Sequence, residues 1–501
     1  MGVSLKVTVC FLCAVHLAAA GAQPVLGREA AAALLPVRVV QPARDPAAAG
    51  GDPLAQDEPA PAYLPLVAKE PRARGYLTTP EELQAIAAKA QQGIEPYHSA
   101  VAVVLDIAGK AWDYEVKSKT TCGSSDRPRW IDNQEGVARL YARALAYHLT
   151  GEVHYAEEAK DVLERIMTEA ETISLDDAQC RLNFGWGTPE LVATADLIEK
   201  YWYDDTCRGP LTTKYGNVES GRGPCKELFQ NWLVKNPYYV ISYSTASQNN
   251  WGAAATNATA YIADYLADRP DVHLLHRVPR QVNQGNDLVF TPTEAYAHVN
   301  RLMFDRMNGY AVDYISSDAC DFLEGAQQTA KWAPRKSQIT ETGIIPDDAR
   351  REEACNIPAY DGSYQNYPQV HLGNNIQQCE LMLRRGDSSC YDNVEQADLP
   401  HYTYVDPKGV QKSTSLAPGR GSIERAIKAI IVDSDTEWRH DAALAVAYHY
   451  YFHHHTLAGF EAWAPELDTI TDCDQDICFG QLTHGFAPGE LPPPVPITPE
   501  P

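Results

Sequence analysis

The sequence predicts an all-α fold, a single large domain of helical hairpins joined by short turns. Apolar residues recur at helical spacing in segment after segment between residues 76 and 487. Runs of β-branched alternation are scarce over the same stretch, and the helical segments fall in sequence-adjacent pairs. No repeat of fixed length is visible, which argues against a solenoid of the tetratricopeptide type.

The elements follow in order. Thr79-Pro80-Glu81-Glu82 is a helix start: a capping threonine, proline at the first helical position and acids in the first turn. Leu83, Ile86, Ala87 and Ala90 continue the apolar face until Gly93 stops it. A second helix is expected from about Gln134 to Leu149, with Val137, Leu140, Tyr141, Ala144 and Tyr147 on one face. Thr150-Gly151 breaks it, and Tyr155 to Met167 resumes the spacing. Pro189 to Tyr201 is expected to be helical after a Gly185-Trp186-Gly187 turn. Trp251–Leu266, Gly309–Ile315, Asn374–Leu383, Ile423–Val432 and Asp441–His453 complete the set.

The termini differ in composition. Lys6 followed by the apolar run Val7–Ala20 and the small residues Ala20-Gly21-Ala22 reads as a cleaved secretory signal over residues 1–22. Residues 23–75 are rich in Ala and Pro and read as a flexible spacer; residues 488–501 read as a proline-rich tail. Removing the signal takes Cys10 and Cys13 and leaves ten cysteines, an even count that in an exported chain favours disulfides. Among those ten no CxxC pair suggests zinc or thioredoxin chemistry. With 42 Lys and Arg against 66 Asp and Glu, the net charge is −24. Such a chain lacks the basic footprint of a nucleic-acid or anionic-membrane binder, although a cleft can still be locally positive.

Three short segments carry a family resemblance. Ser247-Gln248-Asn249-Asn250-Trp251-Gly252 opens an Ala-rich helix and resembles the Asn-Asn-His/Trp segment of alginate-lyase-like polysaccharide lyases. Gly343-Ile344-Ile345-Pro346-Asp347-Asp348-Ala349-Arg350-Arg351 is similar to the Gly-x-x-Pro-(Asn/Asp)-(Glu/Asp)-x-x-Arg stretch of that group. Tyr364-Gln365-Asn366-Tyr367 is similar to the Tyr-His-Asn-Tyr that follows it, and the order of the three agrees. Weaker echoes lie at 145–151, 183–187 and 445–448. The resemblance implies an (α/α) toroid, an incomplete barrel of helical hairpins, that cleaves an anionic polyuronate by β-elimination with neither metal nor organic cofactor.

The chemistry sets what each residue would do. Removing the C5 proton of a uronate beside its carboxylate requires that charge to be neutralised first, by an amide or a cation aimed at the developing charge. Asn250 is the candidate neutraliser, with Asn249 beside it; Arg351 is the candidate cation, with Arg350 as its alternative. Tyr364 is the candidate base and acid, Tyr360 and Tyr367 being the neighbours that could replace it. Trp251 stands where some members carry histidine, so a substitute is expected from His298 or His371. Trp251 and Trp186 are candidate sugar-stacking surfaces, and Tyr367 a further substrate contact. A glycoside hydrolase would instead need two facing carboxylates, for which Asp347, Asp348 and Glu294 are available; a non-catalytic carbohydrate binder would use only the aromatics. His449 and His453, one helical turn apart, suit packing of the last helix better than a metal site, and Asn257-Ala258-Thr259 is a glycosylation sequon expected to be buried.

Overall fold

The computed structural model describes residues 73–123, 128–175, 177–203, 205–212, 218–247, 249–278, 287–307, 345, 348, 366–392, 403–405, 411–413, 422–428, 430, 439–454, 473–474 and 476–485. The described chain is mostly helical. Its principal helices are α1 (Pro80–Gln91), α2 (Tyr97–Ala108), α3 (Gly136–Thr150), α4 (Val153–Glu169), α5 (Ala178–Leu197), α6 (Cys225–Leu233), α7 (Asn250–Tyr265), α8 (Pro292–Met307), α9 (Tyr367–Arg384), α10 (Asp441–His454) and α11 (Gly480–His484). Strands occur only as two-stranded pairs among the described residues, the longest being Thr206–Thr212 against Val218–Pro224.

Local rules account for many of the boundaries. Thr79 accepts from the Glu82 amide while the Glu82 carboxylate accepts from the Thr79 amide, closing a capping box on α1. Gly151, at φ 76°, ends α3 in the left-handed region. Helix α5 departs from expectation: it begins at Ala178, caps on Asp177 and runs straight through Gly185-Trp186-Gly187 and Pro189 to Leu197. The apparent breakers serve packing here, because a Cβ on Gly187 would stand 2.3 Å from the Ile131 carbonyl oxygen. The segment expected at Gly309–Ile315 lies outside the described residues, and of Ile423–Val432 the helix covers Ile423–Lys428.

Packing contacts run in a circuit. α2 packs on α3, α3 on α5, α5 on α7, α7 on α9, α9 on α10, α10 on α11, and α11 returns to α2. The innermost members are enclosed on every side. In α7 every residue but Trp251 is buried, in α5 every residue from Leu182 to Leu197, and in α9 every residue from Pro368 to Met382. A helix without a solvent face cannot be amphipathic, and these three instead interleave apolar, small and polar residues all round. Their polar groups bond across the helices: the Asn257 amide donates to Gln377, and Gln377 donates to Glu190 at 2.8 Å. Asn257 is therefore buried in the core, as expected for the sequon.

The start of the body is tied down further upstream than the composition suggests. Arg74 and Gly75, inside the expected spacer, donate their amides to the two Asp196 oxygens at 2.7 and 2.9 Å. The Arg74 and Arg385 guanidinium groups both bond Asp264 at the end of α7. Burial raises Asp264, yet the two arginines outweigh it and hold the carboxylate below its ordinary range. Four disulfides, Cys122–Cys180, Cys207–Cys225, Cys379–Cys390 and Cys473–Cys478, use eight of the expected ten mature cysteines; Cys320 and Cys355 lie outside the described residues.

Two outcomes follow. Of 12 cysteines, 12 − 8 leaves at most four thiols per full-length chain in unfolded, unreduced protein, countable with a thiol reagent; five or more would show that the four pairings do not all form. The second concerns pH. Burial raises Glu190 from 4.5 to about 8 and Asp196 from 3.8 to about 7. Both folded values exceed the unfolded ones, so their contribution is fully present below the unfolded values and is lost as pH climbs through 7 to 8. Melting temperature is expected to fall from pH 5 to pH 8 and to fall less steeply in Glu190→Gln; parallel curves for the two proteins would remove Glu190 as the cause.

Candidate active site

The turn that opens α7 is held from three directions. Asn249 is the N-cap, its side-chain oxygen accepting from the Trp251 amide at 3.2 Å. The capping role thus belongs to Asn249, and Asn250, 1% exposed, is the first helical residue behind it. Arg306 of α8, fully buried, donates to the carbonyl oxygens of Thr245, Ser247 and Gly252 and to the Thr256 hydroxyl. Residue 252 must be glycine, since a Cβ there would stand 1.8 Å from the Ser247 carbonyl oxygen.

Asp348 supplies the third hold and defines the site. Its Oδ1 accepts the Asn250 amide at 3.1 Å and its Oδ2 lies 2.8 Å from His371 Nδ1. All three residues are buried. A carboxylate only accepts, so Nδ1 of His371 donates, and a neutral imidazole then presents Nε2 as its basic atom. That Nε2 is buried with no hydrogen-bond partner among the described residues. The amide end of α7, where the helix dipole favours negative charge, thereby meets the imidazole of α9 across one carboxylate.

An aromatic patch adjoins this group. Trp186 packs with Leu182, Ala254 and Val370, and half-buried Trp251 closes the cluster. Trp186 therefore projects from within α5, not from a turn as the glycines suggested. Tyr367 begins α9 one helical turn before His371 and is half-buried. Arg350, Arg351, Tyr360 and Tyr364 lie outside the described residues.

The other candidates fall elsewhere. His298 of α8 packs edge-on against His276, with ring centroids 5.1 Å apart, and against Phe290. Burial and the neighbouring Arg301 lower it to about 4, and among the described residues it touches neither Asn250 nor His371. His298 thus faces the β-hairpin Leu274–His276/Leu288–Phe290, which packs on α8. Glu294 closes a capping box with Thr291, exposed at the start of α8, Asp348 is bound to His371, and Asp347 lies outside the described residues. Asp348 is the organising residue that sequence reasoning undervalued; its position five residues past Gly343, in the second motif, was the available signal.

Among the described residues one group has the spacing to hold a metal: His440, Asp474 and Asp476, all buried, with one ligand atom of each within 4.8 Å of the others. His440 already pairs with Asp476 at 3.1 Å, and Asp474 accepts the Ala442 amide at the start of α10. His449 packs on His453 and His484 at centroid distances of 4.7 and 5.4 Å. No helix among the described residues is long and apolar enough to cross a membrane.

No family model and no curated protein matches the chain. Among solved structures it is similar to the crystal structure of an alginate lyase from Bacteroides ovatus, with a TM-score of 0.43 and 14% identity, over 79% of this chain and 96% of that one.

The tightness of the turn can be measured. Gly252→Ala forces its methyl into the Ser247 carbonyl, and an overpacking cost of about 1–3 kcal/mol is expected as a lower melting temperature. An unchanged melting temperature would show that the turn can open without cost.

Proposed function

We propose that the chain is a secreted polysaccharide lyase that cleaves a uronic-acid-containing polymer, alginate-like or glucuronan-like, by β-elimination on an (α/α) toroid. The observation that carries this reading is the Asp348 carboxylate, which joins the Asn250 amide to the His371 imidazole. It joins the first two motif segments to the helix that begins at Tyr367, the last residue of the third. The circuit of helix contacts supports the toroid, and the four disulfides are compatible with export.

On this reading the side-chain amide of Asn250, whose backbone N–H is held by Asp348, neutralises the substrate carboxylate, helped by the Arg351 cation or by its neighbour Arg350. Tyr364 takes the C5 proton and returns one to the departing O4. His371, held in its tautomer by Asp348, takes the place of the histidine that Trp251 replaces and is the second group able to receive that proton. Asp348 is a positioning residue, acting through its two partners. Asn249, Trp251, Trp186 and Tyr367 frame the bound sugars.

Incubation with a panel of polyuronates tests the reaction class: a lyase leaves an unsaturated, UV-absorbing uronate end, a hydrolase a saturated one, a binding protein no new end. Tyr364→Phe is expected to lower turnover by on the order of 10²–10⁴, and Asn250→Ala by about 10²–10³. A Tyr364→Phe enzyme within threefold of the parent, beside a His371→Gln enzyme without turnover, would move the proton transfer to His371. Saturated products from every polymer would end the lyase reading.

A further inference from the structure

In a chain of net charge −24, many of the described arginines pair with acids or donate to backbone carbonyls. Arg181 and Arg277 do neither. Arg181 projects from the first turn of α5, and its guanidinium lies 4.6 Å from the centre of the Tyr243 ring. Arg277 follows the strand Leu274–His276 and lies 5.0 Å from the same ring and 5.1 Å from Tyr239. Neither guanidinium makes an ion pair with an acid among the described residues, Asp177 acting on Arg181 only at longer range. Arg181 Nε and Arg277 Nη1 are buried donors without an acceptor there, although all four side chains are half-buried and so reachable from solvent.

That combination is costly. Two like charges share one aromatic ring, and each leaves an N–H group desolvated and unbonded. Neighbouring positive charge and burial pull the Arg181 guanidinium below its ordinary value, burial being the larger cause. The ring faces hold the two forks: Tyr239 and Tyr243 sit one turn apart in the irregular helical segment Tyr239–Ser244, and the Ser242 hydroxyl accepts the Arg277 amide at 3.0 Å. A planar anion accepting from both forks would satisfy the donors and relieve the repulsion together, and a carboxylate has that shape.

We infer that Arg181 and Arg277, mounted on Tyr239 and Tyr243, form a subsite for one uronate carboxylate of an anionic polysaccharide, distinct from the Asn250 site. The inference rests on the polyuronate reading above and names where the polymer is gripped. Continuity supports it: Leu182, next to Arg181, packs in the same cluster as Trp251, next to Asn250, so a chain leaving one site has a short path to the other.

The experiment uses the full chain with hexamers of mannuronate, guluronate and glucuronate, each also in carboxyl-reduced form, and follows binding by calorimetry beside initial rates. Arg181→Gln and Arg277→Gln are each expected to weaken binding of the preferred hexamer and raise KM by about tenfold, with kcat changed far less, as for the loss of one charge-assisted contact. Arg277→Lys should fall between, since it keeps the charge without the fork. The carboxyl-reduced hexamer should bind parent and variants alike. Thermal melts identify any variant that lost its fold, and Arg277→Lys then carries the comparison. Hexamer affinity within twofold of the parent in both Gln variants overturns the subsite while leaving the lyase reading intact. A parent that binds a hexamer through these arginines but yields no unsaturated product ends the lyase reading and keeps the subsite. A parent that binds none of the three hexamers overturns it.

Discussion

Everything in the described structure follows from burying α7 on all sides. Packed against α5, α8 and α9, this helix has no solvent face to which polar groups can turn. Its residues must be small enough for close approach, and its amides and hydroxyls must find partners on neighbouring helices. Asn257, Gln377 and Glu190 meet that demand across three helices, and Arg306 meets it at the turn that opens α7. Glu190 shows the cost, for burial raises its carboxyl to about 8.

The same constraint positions the candidate site. Because α7 is interior, its amide end is interior too, and the partial positive charge there is not spent on bulk water. Asp348 answers it and passes the connection to His371 on α9, so the carboxylate that stabilises the turn also orients an imidazole. At the opposite end Asp264 is clamped by Arg74 and Arg385. Both ends of α7 are thus fixed by carboxylates, and the cations of an acidic chain are drawn to the carbonyl-rich and acid-rich ends of its buried helix.

How far the sequence was legible depended on the range of the deciding force. The α1 capping box and the Gly151 stop are local, settled within four residues, and both stand where the pattern puts them. Gly185 and Gly187 read as a turn because local propensity says so, yet α5 passes through them because Ile131 and Ala254 occupy the space where their side chains would stand. His298 and His371 were equal candidates by sequence. A β-hairpin against α8 and a carboxylate against α9 separate them, and neither contact has a sequence signature.

By itself the sequence determined the helical class, most of the described helices, the even cysteine count and the asparagine pair that opens α7, since each depends on periodicity, composition or a short motif. The tertiary structure alone decided which cysteines pair, that Arg74 belongs to the body, that Asp348 links Asn250 to His371, and that Arg181 and Arg277 share one tyrosine. These partners lie tens to hundreds of residues apart, and contact at that separation is set by how helices pack, which local pattern does not encode.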